Sequence, residues 1–257
     1  MLEVFCILVC VSISTSLVGS VLVLRQESML ADALSHSVLL GIVLGYFLSG
    51  DLDSPLLTVG AALFGLISVL LIDWISSRRL ASDAATGLVF SSFFALAVLL
   101  ISLFARNVHL DLDMVLMGEV LFAPLHRMNI GGLSLPVSLV KSGLLAIIIL
   151  LYFILTYQPL KVFLSDPNQA RLVGVRTAGL QLSLLFLVSL TTVISFDAVG
   201  SMTVIALLVA PSLISLTWSQ SYAQLLLSSV LVGGLIVSIA FVLAFMGNVS
   251  ISGTCAC

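Results

Sequence analysis

Charge is what this sequence has least of. Of its 257 residues only 8% are charged, and the formal net charge of −3 is spread thinly between apolar stretches. No basic run or tail is present, which sets aside a nucleic-acid-binding role. A Walker-type glycine loop is missing too, so the chain is not expected to hydrolyse ATP itself. Cysteine is confined to Cys6 and Cys10 near the start and Cys255 and Cys257 at the end, with no zinc-finger spacing and no redox Cys-x-x-Cys. Cys6 and Cys10, at i and i+4 in an apolar stretch, read as small hydrophobes in packing, and the Cys255/Cys257 pair is weak ground for a metal or redox site. Residues 5–24 lack a positively charged leader region and are expected to be a retained span, with the mature chain starting near Met1.

What is there instead is apolar. Hydrophobic residues make up 61% of the chain and the mean hydropathy is +1.31, the composition of a polytopic membrane protein. Apolar runs bounded by charges or turn residues predict an all-α transmembrane bundle of about eight spans in a single domain, 1–257. The spans fall at 5–24, 28–48, 55–76, 84–105, 134–157, 178–196, 199–217 and 222–246. The last pair but one is joined by Phe196-Asp-Ala-Val-Gly200, too short for a loop reaching water, so one of those two spans is expected to be broken or re-entrant. If spans alternate, Arg25, Arg78, Arg79, Lys161, Arg171 and Arg176 share one side, which is expected to be cytoplasmic. Asp51 and Asp53 then face outward, as do both termini, while Arg106, Arg127 and Lys141 are exceptions to the bias.

The second span carries two ionisable residues, Asp32 and His36. Spaced i and i+4, they lie one above the other on one helix face and can grip a single ion, with Ser28, Ser35 and Leu39 near the same face. A carboxylate in the middle of a spanning helix costs about 2.5–3.5 kcal/mol on insertion scales, so an ion path is the default reading. The alternative is a buried pair that only holds helices together. Beside that face runs a stripe of Ala33, Ser37, Gly41 and Gly45, whose Gly-x-x-x-Gly pattern lets membrane helices approach closely. A second copy packed through this stripe would bring two aspartates and two histidines to one ion.

Three other stretches are informative. His109, Asp111, Asp113, Glu119 and His126 lie on the long outer segment, where scattered charges are expected to be solvated rather than to bind metal. Within 158–177, Asp166 suits a helix N-cap, Pro167 the first helical position and Gly174 the end, which predicts a helix of about two turns between two spans. Such a helix is a handle for another subunit or an ordinary interfacial turn. In the seventh span Gly200, Ala206 and Ala210 allow close packing and Pro211 kinks the helix; Asp197 before it is expected to cap that helix or lie at the surface, with ion binding as a further option.

These residues together resemble a known family. Arg25 to Gly41 with its Asp-Ala-Leu-Ser-His core, Asp166-x-x-x-Ala170-x-x-x-Gly174, and Ala198-Val-Gly200 leading to Ala206-Leu-Leu-Val-Ala-Pro211 are similar to the ABC-3 permease subunits of bacterial manganese, zinc or iron importers. The resemblance implies a multi-pass protein of the bacterial cytoplasmic (inner) membrane and a second permease copy or paralogue. It also implies two cytoplasmic ATPase subunits, an extracytoplasmic solute-binding protein, and no permanently bound cofactor. It makes Asp32 and His36 the ligands of the transported metal, and Asp166, Ala170 and Gly174 parts of the helix that docks in the ATPase. The chain departs from the commonest pattern in reading Pro-Ser after the seventh span and in ending soon after the eighth, which bears on C-terminal contacts. Two other classes stay open: an ion-coupled secondary transporter using Asp32 and His36 as a proton relay, and an ABC permease for an iron chelate or cobalamin.

Overall fold

The computed structural model describes residues 1–50, 54–76, 80–104, 120, 127–130, 133–247 and 249–256. Arg78, Arg79, Asp51, Asp53, Arg106, Cys257 and the outer group His109, Asp111, Asp113, Glu119 and His126 lie outside the described residues.

The helices follow the apolar runs. They are α1 (Leu2–Leu24), α2 (Met29–Ser49), α3 (Pro55–Ser76), α4 (Ser82–Phe104), α5 (Val137–Leu155), α6 (Tyr157–Ser165), α7 (Pro167–Leu172), α8 (Thr177–Val199), α9 (Ser201–Leu216), α10 (Tyr222–Gly247) and α11 (Ile251–Ala256). Among the described residues, seven helices are long and apolar enough to cross a membrane. The eighth expected span is α9, apolar but only 16 residues long. At about 1.5 Å per residue it extends roughly 24 Å, short of a hydrocarbon core of about 30 Å. It runs on through Pro211 without a break, and α8 and α9 are separated by a single residue, Gly200, at φ 83°. The short connection is thus a one-residue joint leading into a short helix.

One element was not expected. Strands β1 (Arg127–Ile130) and β2 (Leu133–Pro136) pair antiparallel, so residues 134–136 belong to a hairpin and α5 begins only after Pro136. Pro136 supplies no N–H and biases Leu135 to an extended backbone, which places the boundary there.

Burial sorts the helices into inner and outer. In α1, 78% of the apolar stretch is buried, against 11% in α4, whose flank of Leu88, Leu96, Leu99 and Leu103 is exposed in the manner of a lipid-facing surface. Inside a bilayer no water satisfies a hydroxyl, and three of the buried ones of α1 turn on their own backbone: Ser14 donates to the Cys10 carbonyl at 2.9 Å, Thr15 to Val11 at 2.8 Å and Ser20 to Leu17 at 2.7 Å. Small residues then bring backbones together. A Cβ on Gly19 of α1 would lie 1.7 Å from the Leu208 carbonyl oxygen of α9, and one on Gly41 of α2 only 2.2 Å from the Gly60 oxygen of α3.

The two ends of the bundle differ. At one end the Arg25 guanidinium lies 5.6 Å from the centre of the Phe163 ring of α6 and forms a two-pronged pair with Glu27, at 2.9 and 2.8 Å. Trp74 and Trp218, both exposed, close α3 and follow α9 at the same end, as interfacial tryptophans do. At the opposite end Arg127 pairs with Glu3 at 2.9 Å, and Lys141 of α5 with Asp197 of α8 at 2.8 Å. Both described exceptions to the basic-side pattern therefore have a carboxylate partner.

Candidate metal site and coupling helix

Asp32 lies in the first turn of α2, which starts at Met29, within a residue of the expected span 28–48, so the cost of a carboxylate in the middle of a span does not describe it. Its carboxylate stands near the helix's positive end, which stabilises a negative charge by roughly 0.3–1 kcal/mol at exposed sites. One turn on, His36 Nε2 faces Asp32 Oδ1 at 3.7 Å. That is too long for a hydrogen bond, but of the size two ligands adopt on one ion: donors each about 2.1 Å from a metal are roughly 3.4 Å apart in tetrahedral geometry. The Asp32 side chain is 54% exposed and that of His36 33%, so an ion can reach both.

The surroundings of the pair are apolar. The His36 ring packs against two phenylalanines of α4, Phe94 at 5.2 Å edge-to-face and Phe90 at 5.7 Å. Its Nδ1 is buried and has no hydrogen-bond partner among the described residues. Nearby hydroxyls are spent on backbone: Ser35 donates to the Asp32 carbonyl at 2.6 Å and Ser37 to Ala33 at 2.7 Å. Leu39 is buried and Ser28 is the N-cap residue, without a side-chain capping bond. No group of three or more His, Cys, Asp or Glu side chains able to hold a metal occurs among the described residues.

The stripe beside the pair is occupied. Ala33, Ser37, Gly41 and Gly45 are buried within the chain, and a Cβ on Gly45 would come 2.7 Å from the Leu56 oxygen of α3. A second copy therefore cannot pack through this stripe, since α3 of the same chain already lies on it; the expected dimer through these four residues is corrected on that ground.

Asp197 is neither a cap nor, in this conformation, an open ligand. It sits in the last turn of α8, half-exposed, and holds Lys141, while α9 has no side-chain cap at Gly200. Its partner lies 56 positions away, so only the matching charges at facing span ends hinted at it. A further carboxylate, Asp73 near the end of α3, accepts a hydrogen bond from the Gln181 amide of α8. With Glu27, Ser76 and Ser82 it lines a small open cleft at the end where Arg25 meets α6. A lone acidic residue inside span 55–76 was the available signal.

Between α5 and α8 the chain builds the short helix that its residues encode. Asp166 Oδ1 accepts from the backbone N–H of Asn168 at 2.8 Å and of Gln169 at 3.3 Å, Pro167 opens the helix, and α7 runs six residues to Leu172. Its end is a Schellman closure. The Gly174 N–H reaches the Arg171 carbonyl at 3.1 Å, the Val175 N–H reaches Ala170 at 2.9 Å, and Gly174 takes φ +85°. Ala170 is fully buried against the bundle, whereas Leu172 and Val173 are exposed apolar side chains at the helix end. Elsewhere Cys6 and Cys10 are partly buried in α1, and Cys255 is buried in α11, where burial pushes its thiol up to about 11.

The fold has a solved counterpart in PsaBC from Streptococcus pneumoniae in complex with Fab, at a TM-score of 0.79 and 24% identity, covering 99% of this chain and 86% of that one. Among curated relatives the manganese transport system membrane protein MntD of Bacillus subtilis (strain 168) is 38% identical over 251 residues, covering 96% of this chain and 84% of the relative. The zinc transport system membrane protein TroD of Treponema pallidum (strain Nichols) is 46% identical over 211 residues, covering 82% of this chain but only 58% of the relative. Fold, sequence and span count define a multi-pass membrane permease of ABC-transporter type rather than an enzyme. Residues 1–257 match the model of the ABC 3 transport family, and the chain belongs to that family.

Proposed function

We propose that this chain is the membrane-spanning permease of an importer that carries Mn²⁺, Zn²⁺ or Fe²⁺ into a bacterial cytoplasm, with Asp32 and His36 as ligands of the ion in passage. The observation that carries the proposal is the facing of Asp32 Oδ1 and His36 Nε2 across 3.7 Å, both accessible, on a helix otherwise largely buried. Carboxylate oxygen and imidazole nitrogen suit all three metals. Further donors come from water or from other chains of the assembly, because two ligands replace only part of a divalent ion's shell.

In this reading the basic end with α6 and α7 faces the cytoplasm of an inner-membrane transporter. The helix α7, capped by Asp166, seated by Ala170 and closed by Gly174, docks in an ATPase subunit, two of which drive a complex with a second permease copy or paralogue. An extracytoplasmic solute-binding protein delivers the metal at the Glu3–Arg127 end. The names of relatives that move manganese and zinc support a small divalent cargo over a chelate.

The test is uptake of radiolabelled Mn²⁺, Zn²⁺ and Fe²⁺ by cells carrying wild-type, Asp32→Asn or His36→Ala permease with its ATPase. Each variant is expected to insert normally and to lose uptake of the cargo metal by at least tenfold. Normal rates in both would make the pair structural and sink the proposal.

A further inference from the structure

A histidine that holds a resident metal almost always donates its other ring N–H to a carboxylate, a carbonyl or water, which fixes the tautomer and makes the ligating nitrogen more basic; such partners are worth roughly ten- to a hundredfold in affinity. His36 is built differently. If Nε2 is the ligating atom, the proton stays on Nδ1, and Nδ1 is buried with no hydrogen-bond partner among the described residues. The walls around the ring are aromatic. Phe94 meets it edge-to-face, with ring centres 5.2 Å apart and planes at 74°, and Phe90 meets it at 5.7 Å and 33°. Phe90 and Phe94 are one turn apart on α4 and so present one face to His36. An aromatic ring fixes orientation through shape and offers an N–H at best a weak π contact. It adds little electron density to the opposite nitrogen.

Resting on the proposed role of His36, we infer that Phe90 and Phe94 are positioning residues that hold the imidazole with Nε2 toward Asp32 while withholding the acceptor a storage site would supply. The ion is thereby aimed but not retained. A carrier needs that combination: a site as tight as a structural one would release its cargo too slowly, just as conduction requires binding weak enough to leave.

The inference predicts that supplying an acceptor strengthens the site and slows the carrier. Full-length protein in lipid nanodiscs is titrated with Mn²⁺, then separately with Zn²⁺, and uptake is measured in cells. Phe94→Gln, and independently Phe90→Gln, places an amide oxygen beside His36. At least one is expected to tighten binding about ten- to a hundredfold, with KM and maximal uptake both falling and imidazole-nitrogen coupling retained in pulsed magnetic resonance of bound Mn²⁺. Phe94→Leu keeps the wall apolar but removes the ring, so affinity falls and maximal uptake stays closer to normal; Phe94→Tyr restores the wild-type values. If neither glutamine variant binds more tightly than wild type, the inference is overturned, even with both variants folded and monodisperse. Adding His36→Ala separates the two readings. Loss of the glutamine-induced gain places the effect on His36, whereas a His36→Ala single variant with unchanged binding shows that the underlying pair, not the aromatic wall, was misassigned.

Discussion

Replacing Gly41 by alanine adds one methyl group, and the structure leaves no room for it. The new carbon would lie 2.2 Å from the Gly60 carbonyl oxygen, 2.6 Å from its carbon and 2.9 Å from the Ala61 nitrogen, all backbone atoms that no rotamer change can move. Non-bonded heavy atoms settle at about 3.5–4.0 Å, so α2 and α3 must part by about 1 Å or more. A gap of that size forfeits roughly a quarter to a half of the dispersion energy of each affected contact. Between membrane helices, packing is the main adhesive because lipid is as apolar as the side chains. Overpacking in well-packed interiors costs about 1–3 kcal/mol, and Gly41→Ala belongs at the upper end because the obstacle is rigid. Gly87 in α4 and Gly143 in α5 are the controls, with nothing within 4 Å of the added carbon; alanine there is neutral or stabilising by up to about 1 kcal/mol. The assay is reversible unfolding in mixed micelles, followed by helicity, with metal uptake measured in parallel because α2 also carries Asp32 and His36. A Gly41→Ala protein within about 0.5 kcal/mol of wild type, or controls as damaged as Gly41→Ala, would refute the argument, since steric cost at backbone contacts is its whole basis.

Gly174 tests conformation separately from space, because it sits at φ +85° with nothing near its missing side chain. Gly174→Asn is expected to keep most metal uptake and ATPase stimulation, since asparagine tolerates the left-handed region, while Gly174→Val loses both with the protein still in the membrane. Survival of both activities in the valine variant would remove α7 as the docking element. Cys255 tests burial in α11: with its thiol pushed up to about 11 from an ordinary 9.0, alkylation at pH 8 should run about a hundredfold slower than for an exposed cysteine. The sign follows from burial favouring the neutral thiol, so any stability this contributes is present below the unfolded value and lost as pH rises through the folded one. Rapid labelling of native protein at pH 8, read by mass spectrometry, would show α11 undocked.

The parts legible in the sequence are those set by local chemistry. Twenty-residue apolar runs have few alternatives to spanning helices, and Asp166, Pro167 and Gly174 encode α7 within nine residues. What could not be read was the identity of partners. The stripe of Ala33, Ser37, Gly41 and Gly45 declares that a backbone comes close, but not whose, and the reciprocal glycine, Gly60, lies in the next helix rather than in a second copy. Lys141 and Asp197 each looked anomalous alone and make sense only as a pair across 56 positions. Phe90 and Phe94 look like any lipid-facing aromatics until α4 is laid against α2. The start of α2 was legible to within a residue, at 28 against Met29, and the turn at Arg25–Glu27, with Gln26 at φ 59°, sets that point; a start there already puts Asp32 near the helix's first turn rather than midway along it.

The glycine contacts also limit how this molecule can change shape. Where a carbonyl oxygen rests in the notch left by a missing side chain, sliding one helix along the other drives that oxygen into the next Cα. The contact therefore acts as a detent. Detents of this kind fasten α2 to α3 at Gly41 and Gly45, and α1 to α9 at Gly19; at Gly233 of α10 the neighbours are instead the Ser12 and Ser16 hydroxyls of α1, atoms that can rotate out of the way. Helix α8, which touches members of both fastened sets, meets α3 at Gly65 through the hydroxyl of Ser189, again a mobile atom and not a backbone one. The α2–α3 pair, with Asp32 and His36 aboard, thus travels as a single block, while α8 against α3 at Gly65 and α10 against α1 at Gly233 meet through hydroxyls that can give way.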